Sequence, residues 1–431
     1  FAAEADEEVG SGDSFLEYVT RPFEDTKSGA MEASKTVSKI VGMENKILST
    51  VAGNKGNPVA MKSSEFSSFG KPQPNTVILA TNSNDGTVQA SVGVRLDKVA
   101  ELMSQMGAKQ PGESTEQTKA LSTGRSIIGA GLLSPDNADD TNADIVGAAP
   151  RFADRAITEY LEQRNPGDWT PFGDTEEGQK RRDKLQSFVA LLVEYILKAP
   201  GVKMYAKTMA PLLARTDFAT MFSQLGKEDQ VFLGDRNGLE LRCLVKQACD
   251  YRGDNLDLGR AVVPSVYTDD RVKNAVQQHG IQHDMLAGLS IRDWLKGIAN
   301  GKDYLTEAKF REAVPTAPVG AEHHLESLGH LGDQPNPVGR DAVEGSVFEI
   351  RTMGKLHYGA WYKHAMEVVK YVYALNSGDP AAFKSNFNLD KLRTEDRKGY
   401  DAVLNGDQKA MRPFLNRMRK AAETDIKQLF Q

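Results

Sequence analysis

The stretch Glu4-Ala5-Asp6-Glu7-Glu8, followed by Phe15-Leu16-Glu17-Tyr18-Val19-Thr20, predicts two β-strands that carry an unusual number of carboxylates. The turn residues Gly10-Ser11-Gly12-Asp13 lie between them, so we expect a hairpin that brings Glu17 beside the first strand. Side chains alternate along a strand. The acids expected on one face of the first strand are Glu4, Asp6 and Glu8. Because carboxylates in a row repel one another unless a cation holds them, the pattern indicates a site for a hard divalent cation such as Mg2+.

A second strand with charged residues is predicted near the other end of the chain, at Val347-Phe348-Glu349-Ile350-Arg351. Alternation places Glu349 and Arg351 on one face. A cross-strand ion pair is one interpretation of these two residues. The other is that Glu349 binds metal while Arg351 binds a phosphate, for which the guanidinium fork is suited. The two ends of the chain together therefore predict a metal-dependent site that uses a nucleotide.

Length and charge limit the classes of protein to consider. The 431 residues suffice for two or three average domains or for one large domain. The net charge of −6 argues against generic nucleic-acid binding, which requires a basic surface. No apolar run reaches the roughly 18 residues of a membrane-spanning helix. The run Phe188 to Leu197, interrupted by Glu194, predicts a buried helix instead, and a start at Phe1 rather than Met is interpreted as a fragment or a processed piece.

The middle of the chain alternates between patterned and loop-rich segments. Helices are predicted at 27–52, 150–165, 177–199, 358–375 and within 380–431. Strands are predicted at 76–80 and 87–96, joined by a turn at Asn84-Asp85-Gly86. In the second of these strands one face is apolar, and the other carries Gln89, Ser91 and Arg95, as expected for a sheet that lines a cleft. Long connections at 107–146 and 316–345 are expected to be mobile or functional.

Three further groups leave alternatives open. Arg215 lies in an apolar stretch, so it either pairs with an acid such as Asp217 or binds an anion. Cys243 and Cys249 are interpreted as free thiols, although their spacing also permits a disulfide. The histidines 279, 283, 323, 324 and 330 are a weaker basis for a zinc-dependent hydrolase, because no Glu completes the helical metalloprotease motif. Walker, GxSxG, GxGxxG and CxxC motifs are missing from the sequence.

Four segments in this order resemble the glutamine-synthetase-like carboxylate–amine ligases, a superfamily that includes γ-glutamylcysteine ligases, bacterial amidoligases and actin-crosslinking toxin domains. Glu4-Ala5-Asp6 is similar to that family's acidic strand, and Leu16 to Phe23 is similar to its second strand. Val88 to Val94 resembles its glutamine-bearing strand, and Val347 to Arg351, followed by a long helix, resembles its late strand.

The resemblance implies an α+β fold, with a curved and mainly antiparallel sheet that forms a cleft and with helices packed outside. It implies ATP and Mg2+ as cofactors. Metal ligands would be Glu4, Asp6, Glu17 and Glu349. Arg215 and Arg351 would stabilise transferred charge, Gln89, Arg95 and Arg351 would contact the nucleotide or substrate, and Glu8 would accept the proton of an amine. Residues 1–375 would form the ligase domain, with mobile insertions near 107–146 and 316–345, and 376–431 a C-terminal helical extension.

The expected reaction is amide or isopeptide bond formation through an acyl phosphate. The partner would be a protein or amino-acid-like substrate that bears a carboxylate and an amine, without nucleic acid and without a membrane span. Large loops around the cleft favour a protein substrate, and hence a secreted bacterial effector or toxin domain that acts in a host cytosol; otherwise the protein is expected to be cytoplasmic. Two alternatives are a ligase of small molecules and a non-catalytic binding domain in which the acids are merely solvated.

Overall fold

The structure is a computed structural model. It describes residues 2–9, 13–20, 23, 26–54, 59–62, 77–80, 85–86, 89–106, 140–164, 167, 169–198, 212–214, 216–253, 255–260, 290–302, 345–351, 356–377, 392, 395–404 and 408–429.

Helices dominate the described residues, and every described strand pairing is antiparallel. The strands are β1 (Ala2–Val9), β2 (Asp13–Val19), β3 (Val59–Lys62), β4 (Val77–Ala80), β5 (Asp85–Gly86), β6 (Gln89–Arg95), β7 (Leu212–Ala214), β8 (Gly345–Arg351) and β9 (Leu356–His357). The α-helices are α1 (Lys27–Gly53), α2 (Val99–Met106), α3 (Asp140–Ala156), α4 (Glu176–Lys198), α5 (Phe218–Ser223), α6 (Lys227–Asp250), α7 (Ile291–Ala299), α8 (Tyr358–Ser377), α9 (Arg397–Leu404) and α10 (Gln408–Leu429). The predicted α+β class is confirmed at this level.

The chain divides into two compact units. Unit 1 comprises Phe1–Val88, Lys355–Ala374 and Asp379–Gln431, and unit 2 comprises Gln89–Gly354 and Leu375–Gly378. The division into 1–375 and 376–431 stays a prediction, but the helices α9 and α10 belong by their contacts to the same unit as the N-terminal hairpin.

The core of unit 1 lies between α1, α8 and α10. Buried residues from the three helices form it: Ala30, Ala33, Val41, Leu48, Tyr358, Tyr362, Met366, Phe414, Met418, Ala422 and Ile426. A hydrogen bond of 2.7 Å between the hydroxyls of Ser34 and Tyr362 crosses this core and satisfies both buried groups. The N-terminal and C-terminal parts of the chain are thus held together by apolar burial, which is the main favourable term in folding.

Unit 1 also contains three two-stranded antiparallel pairs, β1 with β2, β3 with β4 and β5 with β9. The predicted hairpin at 1–20 is confirmed. The predicted hairpin joining 76–80 to 87–96 is wrong, because Val77–Ala80 pairs with Val59–Lys62, and Asp85 pairs with His357. An Asn-Asp-Gly sequence favours a turn locally, but non-local pairing decided the partners of both strands.

A three-stranded sheet in the order β6-β8-β7 defines unit 2. The predicted alternation in β6 is confirmed for its described side chains, since Val94 is buried and Ser91 is exposed. The central strand β8 is buried from Ser346 to Ile350. Thr216 extends the sheet edge, because its amide donates to the Val347 carbonyl at 3.3 Å and its hydroxyl accepts from the Val347 amide at 2.9 Å.

Helices pack around this sheet within unit 2. The predicted buried helix at 177–199 is confirmed as α4, whose residues from Phe188 to Leu197 are all buried. Helix α3 begins at Asp140, so the end of the predicted loop 107–146 is helical, and a π-helical turn from Ile157 to Glu162 continues α3.

Helix α6 contains a left-handed break. Arg236, Asn237 and Gly238 have φ values of 49°, 61° and 73°. At Gly238 a β-carbon would lie 2.9 Å from the Ala299 side chain, so both the conformation and the close approach of α7 require glycine there. None of the helices described in the structure has both the length and the apolar character needed to cross a membrane.

Candidate functional site

The N-terminal hairpin places two acidic residues directly opposite each other. Glu4 pairs with Glu17 in the antiparallel register of β1 and β2. Between Ala2 and Val19 the sequence contains six Asp or Glu residues and no Lys or Arg. Like charges directly opposite on neighbouring strands destabilise the pair, so the hairpin gains stability from any bound cation that offsets this repulsion.

An irregularity in β1 changes which of its acidic residues are expected on the same face of the strand. Ala5 pairs with Leu16, but the next registered pair is Glu8 with Ser14, so β1 holds one more residue than β2 between these points. Such a bulge interrupts the two-residue alternation. The sequence-based assignment of Glu4, Asp6 and Glu8 to one face therefore does not hold across the bulge, while the juxtaposition of Glu4 with Glu17 does not depend on it.

The base of the hairpin is anchored one residue after Glu17. The Tyr18 hydroxyl donates to Glu44 of α1 at 2.6 Å, and the Tyr18 ring meets Trp361 of α8 edge-on at 6.2 Å. Burial raises the pKa of Tyr18 well above its ordinary range, and the nearby Glu44 charge adds to this. Burial also raises the pKa of Glu44, although the Tyr18 hydrogen bond opposes that shift. The acidic hairpin is thus fixed to the helical core of unit 1.

The second group of predicted site residues lies in the three-stranded sheet of unit 2. The register pairs Ser91 and Leu213 with Glu349, and Gln89 with Arg351. Glu349 is 1% exposed. A carboxylate buried to this degree requires hydrogen bonds or ion pairs to compensate for its lost hydration.

Arg95 has local partners within unit 2. Its guanidinium donates to both carboxylate oxygens of Asp97, at 3.0 and 2.8 Å, and more weakly to the Asn376 carbonyl at 3.4 Å. The Asn376 side chain in turn accepts from the Arg95 amide at 3.1 Å and donates to the Gly93 carbonyl at 3.0 Å. Asp97 therefore forms a bidentate ion pair with Arg95. The role of Arg95 toward a nucleotide stays a prediction.

Arg215 lies outside the described residues, so neither of its two interpretations is tested. Its suggested partner Asp217 caps α5, because its carboxylate accepts from the Thr220 amide at 2.7 Å and from the Thr220 hydroxyl at 2.5 Å. The five histidines of the zinc hypothesis also lie outside the described residues. Cys243 and Cys249 are free cysteines, as interpreted from the sequence.

The predicted site residues therefore fall into two sets. Unit 1 contains Glu4, Asp6, Glu8 and Glu17, and unit 2 contains Gln89, Arg95, Glu349 and Arg351. Within the described parts of the chain, no group of three or more His, Cys, Asp or Glu side chains is arranged to hold a metal ion. The two acids that the backbone register does bring together are Glu4 and Glu17.

Sequence reasoning missed a buried ion pair between α4 and α6. The fully buried Asp229 accepts from Arg181 Nε and Nη2 at 2.7 and 2.6 Å, and from the Trp169 indole at 3.0 Å. Glu228 adds a second contact to Arg181 at 3.1 Å, and the guanidinium lies 5.0 Å from the Phe172 ring centroid. The hydrogen bonds to Asp229 raise the pKa of Arg181. The dipeptide Glu228-Asp229 at the start of a helix looks like ordinary N-terminal acid enrichment, so the sequence carried no signal for this pair.

Comparison with protein-family models, with curated proteins and with solved structures gave no match.

Proposed function

We propose that the protein is an ATP- and Mg2+-dependent carboxylate–amine ligase that forms an amide or isopeptide bond through an acyl phosphate. The observation that carries the proposal is the juxtaposition of Glu4 and Glu17 across the hairpin. Facing residues in an antiparallel pair have β-carbons about 4.5–5.5 Å apart, a spacing from which two carboxylates can reach one cation. A donor set made of carboxylate oxygens fits Mg2+, which commonly combines one or two protein carboxylates with substrate phosphates.

The proposed fold class is a curved, mainly antiparallel sheet that forms a cleft, with helices packed outside. Asp6, on the same strand as Glu4, is the third proposed metal ligand in unit 1, and Glu349 is the proposed metal ligand in unit 2. Mg2+ would neutralise charge between these carboxylates and the phosphates of ATP.

The reaction has two balanced steps. A substrate carboxylate oxygen attacks the γ-phosphorus of ATP, which gives an acyl phosphate and releases ADP. An amine then attacks the acyl carbon, phosphate leaves, and a carboxylate accepts the proton lost by the amine nitrogen; the resemblance assigns this role to Glu8, which the bulge takes out of phase with Glu4. Arg215 and Arg351 stabilise the transferred phosphoryl group, and Gln89 and Arg95 line the path of nucleotide and substrate. Such transfers depend chiefly on positioning and charge neutralisation, which this residue set is suited to provide.

The proposed substrate is a protein side chain, and the proposed setting is a bacterial effector that acts in a host cytosol. The lengths of the connections around 107–146 and 316–345 in the sequence support a site with large flanking surfaces. A small-molecule substrate and a cytoplasmic setting remain within the same reaction class.

The first experiment measures the melting temperature with and without MgATP, because a ligand that binds the native state raises it. We expect a saturable rise for the wild-type protein and for Asp13→Asn, and a smaller rise for Glu17→Gln. Asp13 is the matched control, since it carries the same charge in the same hairpin but lies opposite Val9. An equal rise in both variants would remove Glu17 from the site, and no rise in the wild type would contradict nucleotide binding.

The second experiment tests the chemistry. Incubation with MgATP and a cell lysate should release ADP and phosphate and produce proteins of higher mass, and Glu17→Gln should abolish both. ATP hydrolysis without any new amide product would contradict the ligase assignment while leaving the nucleotide site intact.

A further inference from the structure

Helix α10 in unit 1 has a cationic face opposite its buried face. At about 100° per residue, Lys409, Lys420 and Lys427 fall within about 20° of one another around the helix. We call these three residues the lysine row, and all three are exposed. The buried side of the helix, which carries Phe414 and Met418, points the opposite way into the core. At about 1.5 Å per residue the row extends about 27 Å.

Two other cations of this helix, unlike the lysine row, have partners. Arg417 forms an ion pair with Asp396, and Arg419 lies 3.8 Å from Glu423. Among the residues that the structure describes, the three lysines of the row form no ion pair or hydrogen bond through their side chains. Their charge is therefore directed to solvent and is free to meet an external partner.

The surrounding sequence makes this face a local exception in an acidic chain. Residues 391–431 contain ten Lys or Arg and six Asp or Glu, whereas the whole chain has a net charge of −6. A cationic patch on an acidic molecule attracts anionic groups at short range.

We propose that the lysine row is a docking surface for an acidic polypeptide segment of a partner protein. Ammonium groups act as point charges that suit carboxylates, whereas recognition of phosphate in nucleic acids favours the arginine fork. No large apolar side chain is exposed among the described side chains of α10, so the helix offers neither a base-stacking platform nor a face for insertion into lipid. This inference does not depend on the proposed ligase reaction.

The test uses fluorescently labelled poly-L-glutamate as the probe and fluorescence anisotropy as the readout. The triple variant Lys409→Gln, Lys420→Gln, Lys427→Gln is compared with a control triple at Lys227, Lys296 and Lys302, which are exposed lysines of unit 2. Both triples change the net charge equally, so they separate the lysine row from total charge. We expect binding by the wild type and the control, and a loss of about tenfold or more in the row variant.

Salt and competing polyanions complete the test. Wild-type binding should weaken between about 0.05 M and about 0.3 M NaCl, because screening shortens the range of the attraction. Circular dichroism checks that both triples keep the helical content of the wild type. Absence of wild-type binding at low salt, equal affinity of the two triples, or tighter binding to polyuridylate or to phosphatidylserine vesicles would each overturn the proposal.

Discussion

Replacement of Asp229 by Asn should be among the most destabilising charge-neutralising changes in unit 2. Asp229 is fully buried and accepts three hydrogen bonds, while the Arg181 side chain is 17% exposed. Asparagine has the same size as aspartate, but it leaves the Arg181 guanidinium without its buried counter-charge. It also directs an amide N–H, instead of a carboxylate oxygen, toward the guanidinium. Breaking a buried pair in this way costs about 3–5 kcal/mol, and the lower end applies because Glu228 still contacts Arg181 at 3.1 Å.

The matched control is Glu228→Gln, which removes the same charge from the neighbouring residue. The Glu228 side chain is 62% exposed, so its loss should cost less than about 1 kcal/mol. Urea unfolding followed by circular dichroism measures both free energies of unfolding. By the scaling for domains of this size, 3 kcal/mol corresponds to a fall of about 6–12 °C in melting temperature.

A double variant separates charge from packing. Arg181→Met combined with Asp229→Leu removes both charges, so most of the stability lost in Asp229→Asn should return. A remaining deficit of about 1–2 kcal/mol is expected because the Trp169 indole loses its acceptor. Equal losses for Asp229→Asn and Glu228→Gln would refute the reasoning, as would a double variant no more stable than Asp229→Asn.

Three further predictions concern backbone space, backbone conformation and a buried imidazole. Gly178→Ala should sharply lower the melting temperature, because the added β-carbon would lie 1.9 Å from the Phe172 carbonyl oxygen. Gly167→Ala is the control, since no heavy atom lies within 4 Å of the added β-carbon. Equal melting temperatures of the two variants would contradict the close packing at Gly178. Arg236→Gly should raise the free energy of unfolding by up to about 1 kcal/mol, because a φ of 49° strains any residue with a β-carbon, and a lower urea midpoint in the variant would contradict this. Burial, with a smaller contribution from the Lys363 charge, lowers the pKa of His364 from 6.5 to about 4. As the pH falls from 6.5 to 4, the unfolded chain binds a proton at this imidazole and the native state does not. The free energy of unfolding should therefore fall by up to about 3 kcal/mol over this range. His364→Leu should flatten this slope in urea unfolding at several pH values, and an unchanged slope would assign it to other groups.

Local patterns predicted most elements correctly. The hairpin at 1–20, the helix from Lys27, the buried helix around Phe188 and the strand at Glu349 are all present. Each has a strong periodic signal or a turn that pairs neighbouring segments, so local energetics and final structure agree. The same reasoning brought Glu17 beside Glu4, because a hairpin register depends only on residues close in sequence.

The sequence-based predictions were wrong where a strand pairs with a segment other than its nearest neighbour in the sequence. The strand at 77–80 pairs with 59–62, and Asp85 pairs with His357, although the sequence around Asp85 favours a tight turn. The bulge in β1 likewise takes Glu8 off the face that simple alternation predicted for it, and no residue pattern in that strand indicates the bulge.

Backbone propensity and side-chain periodicity specify the helices and strands, the acidic character of the hairpin and the apolar faces of the helices before any tertiary contact forms. The burial of Asp229 against Arg181 depends instead on the packing of α4 against α6. Whether a charge is buried or exposed depends on which helices pack together. The burial of apolar surface across the whole unit determines that packing, and most of this surface belongs to residues distant in sequence from the charged one.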